Sequence, residues 1–228
     1  MKAVKSSNKR RGRNITIGAV IGFLLSCTAV MGAGDYLWIK EDSGAIKFST
    51  NSTTGDNGEW TTENPYENAG NIWDKDTEPK TYTYTNNITL SSSEKNGEDR
   101  GSDISYGLRL SGELTGVNFI NNGSIIGTMT ASGSYGYGIH NSAEMGNIKN
   151  TGVISGTGNG AGSGAGTGYG IYNSSTSTMG KITNTGIISG IGSSSGSSGS
   201  YGFGYGINNT GTMGKITNTG IISGIGSS

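Results

Sequence analysis

The strongest constraint on this chain is an internal repeat. Residues 181–194 read KITNTGIISGIGSS, and residues 215–228 repeat that segment without change, 34 positions later. Residues 147–156 carry a diverged copy, NIKNTGVISG, and an older copy runs over residues 106–127. A repeat of this length is one small unit that buries its apolar side only by stacking on the next unit. The period therefore predicts a stacked array of Gly-rich repeats over residues 106–228.

Each unit reads as three short strands separated by turns. The strand segments are Tyr-Gly-Ile, then (Asn/Lys)-Ile-(Lys/Thr)-Asn, then Gly-(Val/Ile)-Ile-Ser, with Met-Gly and Asn-Thr-Gly between them. Glycine occurs 43 times in 228 residues, which disfavours helices throughout the array. The Gly/Ser stretches 157–168 and 191–200 have the composition of flexible excursions. About 22 residues then remain per coil, so the unit predicts an all-β, three-sided, right-handed parallel β-helix.

Stacking also predicts which side chains lie above one another. Parallel coils are about 4.8 Å apart, so equivalent residues of successive repeats form ladders along the axis. Three isoleucine ladders are expected, namely Ile139/Ile171/Ile207, Ile148/Ile182/Ile216 and Ile154/Ile188/Ile222. Asn150, Asn184 and Asn218 should form an amide ladder. The pattern does not determine whether these side chains point inward or outward, because a bend can shift the alternation of inward and outward residues. Gly152, Gly186 and Gly220 are expected at bends that need a positive φ.

Residues 34–105 differ from the array, because they hold all three tryptophans, both prolines and 14 acidic residues. The pattern predicts two short strands, 36–40 and 45–49, around a turn at Asp42-Ser43-Gly44, and a half-buried strand from Lys80 to Thr85. Asn86-Asn87 should then turn into a further segment, and an acidic loop is expected from Thr53 to Glu78. We interpret this region as an N-terminal β capping region. The alternative is that Trp38, Trp60 and Trp73 stack on sugar rings.

The first 33 residues have the order of a secretory signal peptide. Six basic residues lie between Lys2 and Arg13, an apolar run follows from Ile15 to Val30, and small residues come next. We expect cleavage after Gly32 or Ala33. Two alternatives remain, namely a retained membrane anchor over the apolar run and a lipoprotein acylated at Cys27.

The remaining composition excludes several classes of site. Beyond residue 33 the chain holds 10 basic and 16 acidic residues, and a surface of net charge −6 repels nucleic acid. With one Cys and one His, neither a Cys/His catalytic pair nor a zinc site of such ligands is available. His140 is equivalent to Tyr172 and Asn208 and reads as a variable position. We therefore expect no catalytic, cofactor-binding or metal-binding residues.

Two further patterns in the array are weak. Gly158-x-Gly160 and Gly202-x-Gly204-x-Gly206 resemble dinucleotide loops in composition only, since neither opens a predicted helix. Polysaccharide-cleaving β-helices need clustered carboxylates, whereas the array holds only Glu113 and Glu144, neither of them repeated. The sequence therefore predicts a non-enzymatic protein.

Three features together resemble autotransporter adhesins, and in their sequence those of fusobacteria. They are the basic-then-apolar leader, the aromatic strand from Tyr36 to Lys40 and the repeats of the type ITNTGIISG. The resemblance covers nearly the whole chain. It implies an exported, surface-exposed or extracellular β-helical passenger, whose C-terminal β-barrel translocator is expected outside this chain. The chain would then be an N-terminal fragment with a structural and adhesive role. Its partner would be a host or bacterial surface protein or glycan.

Two other functions stay open from the sequence. One is a membrane- or lipid-anchored surface repeat protein that uses Ile15–Val30 or Cys27. The other is a polysaccharide-acting β-helix whose site lies outside residues 1–228.

Overall fold

A computed structural model describes residues 36–50, 59–77, 80–99, 101–162, 164–195 and 200–227. These residues form strands, apart from turns and one short 3-10 helix at Glu67–Ala69. The strands are β1 Leu37–Asp42, β2 Ala45–Ser49, β3 Ile72–Thr77, β4 Lys80–Asn86, β5 Thr89–Ser92, β6 Gly97–Asp99, β7 Ser102–Gly112, β8 Val117–Asn121, β9 Ser124–Ala131, β10 Tyr135–Met145, β11 Ile148–Asn150, β12 Val153–Gly160, β13 Thr167–Asn173, β14 Thr178–Met179, β15 Ile182–Asn184, β16 Ile187–Ser194, β17 Phe203–Asn209, β18 Thr212–Met213, β19 Ile216–Asn218 and β20 Ile221–Gly226.

No helix within these ranges has the length and apolar character that crossing a membrane requires. The predicted signal peptide at residues 1–33, with Cys27 and the apolar run, lies outside the described residues.

The strands form a parallel β-solenoid, as the repeat predicts. The first sheet stacks β1, β7, β10, β13 and β17, the second stacks β4, β8, β11, β15 and β19, and the third stacks β5, β9, β12, β16 and β20. Each sheet thus takes one parallel strand from each of five successive coils, which we number 1 to 5 and which are joined by four steps. The remaining strands are β14 and β18, which extend the first sheet in coils 4 and 5, and β2, β3 and β6, which pair antiparallel.

The aromatic region supplies coil 1 of the solenoid. Its strands β1, β4 and β5 pair in parallel with β7, β8 and β9 of coil 2. The predicted hairpin of β1 and β2 is present, with its turn at Ser43 and Gly44, whose φ values of 56° and 82° are positive. The predicted strand at residues 80–85 is also confirmed, as β4. The predicted acidic loop is wrong at Ile72–Thr77, because β3 pairs with β4 there, and its residues 53–58 lie outside the described ranges.

The three isoleucine ladders are confirmed and form the core. In the second sheet Ile148, Ile182 and Ile216 are in direct register, and the other two sets align in the same way. Apolar residues continue the ladders into coils 1 and 2, and those of the second sheet are aromatic: Leu37/Leu108 in the first sheet, Tyr84/Phe119 in the second and Leu90/Ile125 in the third. All of these coil 1 and coil 2 members are buried, so the core is continuous across the coil 1–coil 2 boundary.

A row of asparagines runs inside the solenoid beside the second isoleucine ladder. Asn150 lies two residues after Ile148 on the same strand, so both side chains point inward. Each amide Nδ2 donates to the Oδ1 of the next coil, at 2.9 Å from Asn86 to Asn121, 2.8 Å from Asn121 to Asn150, and 2.7 Å for the two remaining steps to Asn184 and Asn218. The sequence did not determine which way these asparagines point, and the structure shows that they face the interior.

A second amide row, which the sequence analysis missed, runs inside the first sheet. Asn141 donates to Asn173, and Asn173 to Asn209, both at 2.7 Å. The signal was present, since each of these asparagines follows an inward isoleucine by two residues, as Asn150 follows Ile148.

The glycines of the Asn-Thr-Gly turns do not have positive φ angles, so that expectation is wrong. Their constraint is close backbone approach. A Cβ on Gly152 would lie 1.9 Å from the carbonyl oxygen of Gly123, and one on Gly186 would lie 2.1 Å from that of Gly152. Since Gly220 stands in the same relation to Gly186, these turns stack too closely for any side chain.

The Gly/Ser stretches are also more ordered than predicted. β12 continues to Gly160 and β16 to Ser194, and they pair residue by residue over these extensions. Their inward glycines face the first sheet at contact distance: a Cβ on Gly158 would lie 2.3 Å from the Thr167 carbonyl oxygen, and one on Gly192 would lie 2.1 Å from that of Phe203. Glycine here permits two sheets to touch, and the strands take up residues that the composition assigned to flexible connections.

Candidate functional site: an aromatic strip on the first sheet

The outer face of the first sheet carries a row of tyrosines, one from each of coils 2 to 5. Tyr106, Tyr137, Tyr169 and Tyr205 are in direct register on β7, β10, β13 and β17. Their ring centroids are 5.3, 4.9 and 5.2 Å apart, and successive ring planes differ by 25°, 8° and 10°. We call these four residues the tyrosine row.

The Tyr-Gly-Ile sequence places the tyrosine outside and the isoleucine inside. Around coil 3, Tyr137 packs with other outward aromatic rings, whereas Ile139 is fully buried in the core. The intervening Gly138 also faces inward, since a Cβ there would lie 2.8 Å from Cγ2 of Ile154. The regular alternation of inward and outward side chains along the strand is therefore interrupted at this glycine, which we call the parity change. The repeated Tyr-Gly-Ile was visible in the sequence, but the parity change that aims the ring outward was not.

His140 packs against the tyrosine row, and we call the row together with the rings that contact it the aromatic strip. Its ring lies 5.1 Å from the rings of both Tyr106 and Tyr137, at steep angles, and 5.2 Å from that of Tyr172. Burial, together with the charge of nearby Arg109, lowers the pKa of His140 to about 3. The imidazole is therefore neutral at physiological pH and packs as an aromatic ring. The register confirms that its position is variable, because it holds Arg109 in coil 2, Tyr172 in coil 4 and Asn208 in coil 5.

Two phenol groups of the row, those of Tyr137 and Tyr169, are also held neutral. Burial, reinforced by the neighbouring tyrosines, raises the pKa of Tyr169 to about 12 and that of Tyr137 further still. A phenol with a raised pKa is a poor general base or nucleophile at neutral pH. The row is therefore suited to packing and contact, not to proton transfer.

Two of the three tryptophans extend the strip into coil 1. The rings of Trp38 and Trp60 are 6.2 Å apart. The Arg109 guanidinium lies 4.7 Å from the Trp38 ring centroid, and the Lys40 ammonium lies 4.2 Å from that of Trp60. Cations cover faces on which a sugar would have to stack, so this arrangement favours cation–π packing over sugar binding.

Trp73 lies apart from that pair. It packs edge-on against Phe48, with ring centroids 5.2 Å apart, and stacks on Tyr82 at 5.5 Å. Its neighbours belong to the main core, so the three tryptophans do not form a single cluster.

Access to the strip increases along the solenoid. Tyr106 and Tyr137 are 5% and 8% exposed, whereas Tyr205 is 40% exposed. Phe203 and Tyr201, from the same coil, are 50% and 61% exposed. Within the described residues, the exposed aromatic surface of this sheet therefore lies mostly on coil 5.

The described part of the chain contains no group of three or more His, Cys, Asp or Glu side chains that could hold a metal ion. Glu113 and Glu144 are exposed and lie on different coils. The glycines of the two dinucleotide-like patterns lie on strands, apart from Gly202 just before β17, and a Cβ on any of them would meet the backbone of another segment. No protein-family model, curated protein or solved structure matches the chain.

Proposed function

We propose that this chain is a structural and adhesive rod, exported to the cell surface as part of an autotransporter-type passenger and without enzymatic activity of its own. The observation that carries the proposal is the complete use of the interior for stacking. Isoleucine ladders and two asparagine rows fill the solenoid coil after coil, so its variable chemistry faces outward. Such an architecture supplies length and lateral surface, which a contact protein needs and a small-molecule enzyme does not.

The outward aromatic residues of the first sheet are the candidate contact surface, and the most exposed of those described lie on coil 5. Tyr201, Phe203 and Tyr205 are all at least 40% exposed, and aromatic side chains are enriched in interface hot spots. A surface protein or glycan is the expected partner. The acidic balance beyond residue 33 argues against nucleic acid.

Cell binding by the exported chain would test the proposal. The purified chain would be immobilised on fluorescent beads, and bead attachment to host cells, to bacteria and to a glycan panel would be counted. A variant with Tyr201, Phe203 and Tyr205 all changed to Ser should reduce attachment at least tenfold. The matched control changes exposed polar residues of other coils, Asn122→Ser and Thr185→Ser, and should leave attachment unchanged.

Two results would contradict the proposal. The first is failure of the folded chain to attach to any cell, protein or glycan. The second is release of reducing sugar ends from polysaccharide by the purified chain, which would show that the chain has enzymatic activity of its own. Incorporation of labelled fatty acid that is lost in a Cys27→Ser variant would instead identify the lipid-anchored alternative.

A further inference from the structure

Buried polar atoms that lack a hydrogen-bond partner gather on the outer face of the first sheet. Within the described residues they include the Nε1 atoms of Trp38 and Trp60, the Nε atom of Arg109 and the Nδ1 atom of His140. Trp38, Arg109 and His140 are in direct register on β1, β7 and β10, and the Trp60 ring packs beside that of Trp38. We call these four residues the donor cluster.

The atoms of the donor cluster share one chemical need. Indole and guanidinium N–H groups donate and never accept, and a neutral imidazole nitrogen donates in one of its two tautomers. Leaving a buried donor unpaired costs free energy, and several unpaired donors at one place indicate a partner that the chain itself does not supply. That partner has to be a hydrogen-bond acceptor.

Arg109 adds a positive charge that no carboxylate balances. Three lysines between residues 36 and 99 pair with carboxylates, whereas Arg109 pairs with none in the described part of the chain. Its guanidinium lies over the rings of Trp38 and Tyr106, at 4.7 and 5.3 Å from their centroids. These cation–π contacts hold the group without using its N–H donors, which remain available to an anion.

The donor cluster has a closed floor and an accessible rim. Trp38 and Tyr106 are each 5% exposed, whereas Arg109, His140 and Trp60 are half-buried. The strands below are paired on both sides, β1 with β2 and β7, and β7 with β1 and β10. An extended peptide therefore finds no strand edge there, and the rim suits a single acid group of a ligand.

A cavity beside Trp60 indicates what carries that acid group. It has a volume of about 310 Å³, at the lower end of small-molecule pockets, and its lining residues include Trp60, Thr50, Thr61 and Glu59. Hydroxyl and carboxylate side chains form hydrogen bonds with sugar hydroxyls, whereas the Glu59 carboxylate repels a second acid group. The hydroxyl-rich part of a ligand therefore fits the cavity, and its acid group fits Arg109.

We infer that the donor cluster binds the carboxylate of an acidic sugar, with Arg109 as the cationic partner. The inference rests on the proposed function, because it specifies the chemical class of the glycan that the aromatic strip would contact. A carboxylate offers two acceptor oxygens to the guanidinium fork, and its charge replaces the missing counter-ion. Stacking of a neutral sugar plays no part, since cations cover the tryptophan rings.

Direct titration of the exported chain, prepared without a histidine tag, tests the inference. Tryptophan fluorescence would be followed during addition of 3′-sialyllactose, of a disaccharide ending in glucuronic acid, of lactose and of sodium acetate. At least one acidic saccharide should bind saturably, lactose should not bind, and acetate should bind at least tenfold more weakly. Equal affinity for lactose would overturn the role of the acid group, and equal affinity for acetate would overturn the sugar.

Two variants assign the contact to the donor cluster. Arg109→Gln removes the charge and should weaken binding of the acidic saccharide at least tenfold, while Trp60→Phe removes only the indole N–H and should weaken it at least threefold. The matched control Lys149→Gln removes an exposed positive charge from the second sheet and should leave the affinity within twofold. Melting curves of each variant separate a lost contact from a lost fold.

His140 locates the ligand without any substitution. It is the only histidine of the chain, so its imidazole NMR signals need no further assignment and should shift as the acidic saccharide saturates. Saturable binding that leaves these signals unmoved would overturn the inference. So would a folded chain that binds none of the acidic saccharides.

The inference and the proposed function fail in different ways. Attachment of coated beads that survives Arg109→Gln, with no acidic saccharide bound, would overturn the sugar site and leave the adhesive role. Saturable saccharide binding by a chain whose beads attach to nothing would support the sugar site and contradict the adhesive role.

Discussion

Replacing Asn150 by Asp should be among the most damaging isosteric changes available in this chain. Asn150 is fully buried in the middle of the asparagine row. Its Nδ2 donates to Asn184 Oδ1 at 2.7 Å, to the Ile187 carbonyl at 3.1 Å and to the Gly152 carbonyl at 3.2 Å, while its Oδ1 accepts from Asn121 at 2.8 Å. A carboxylate retains the last of these bonds and leaves the three acceptors facing a negative oxygen.

The structure sets the size of the effect. The Gly152 carbonyl still accepts from the Ile187 backbone N–H at 2.9 Å, so two acceptors lose their donor, Asn184 Oδ1 and the Ile187 carbonyl. Each costs about 1–3 kcal/mol, so the two together cost about 2–6 kcal/mol, and one bond is restored if the carboxyl is protonated. A typical domain is stable by only about 5–15 kcal/mol. At pH 7 the Asn150→Asp chain should therefore lose a large part of its stability and melt far below the parent.

The penalty should depend on pH with a definite sign. Burial among carbonyl oxygens raises the folded-state pKa of the new carboxyl above its unfolded value of about 3.9. The group then binds a proton more readily in the folded chain, so the penalty relative to the parent is greatest at pH 7 and shrinks as the pH falls towards 4.

The assay is urea unfolding followed by circular dichroism at pH 7 and pH 4. The matched control is Asn147→Asp on the same coil, where the side chain is exposed and its Oδ1 accepts from the Lys181 backbone at 2.8 Å, a bond that a carboxylate retains. This control should cost under about 1 kcal/mol. Equal unfolding midpoints for the two variants, or a penalty for Asn150→Asp that does not change with pH, would refute the axial amide row as a source of stability.

Three further predictions follow from the core, the strip and the leader. Ile182→Asp buries an unpaired charge and should lower the melting temperature sharply, whereas Ser195→Asp on an exposed connection should leave it nearly unchanged; similar melting would mean that Ile182 is not packed. Because the folded pKa of His140 is about 3, below its ordinary 6.5, the parent should lose up to about 1.4 kcal/mol per pH unit as the pH falls from 6.5 towards 3. The variant His140→Tyr should show a flatter stability profile over that window in the same unfolding assay, and an unchanged profile would speak against a buried neutral imidazole. Sequencing of the exported protein should begin at residue 33 or 34, and a start at an acylated Cys27 would contradict the signal-peptide prediction.

The sequence by itself determined the fold class and most of the core. An exactly repeated 14-residue segment and its diverged copies show which residues are equivalent, and parallel stacking places equivalent residues above one another. Those two facts were enough to predict the ladders of Ile148/Ile182/Ile216 and their two counterparts. Amide stacking of Asn150 along the axis also followed, because it depends only on equivalence between coils.

Tertiary structure alone decided which way side chains point and how near the sheets come. The parity change at Gly138 sends Tyr137 outward and Ile139 inward, and no period in the sequence records it. The role of Gly152 and Gly158 was likewise invisible, because the Gly/Ser composition of a flexible connection is the same as that of a strand pressed against another backbone. Local pattern specifies neighbours along the chain and repeat specifies neighbours along the axis, but the distance across the coil is set only when the three sheets close around their shared core.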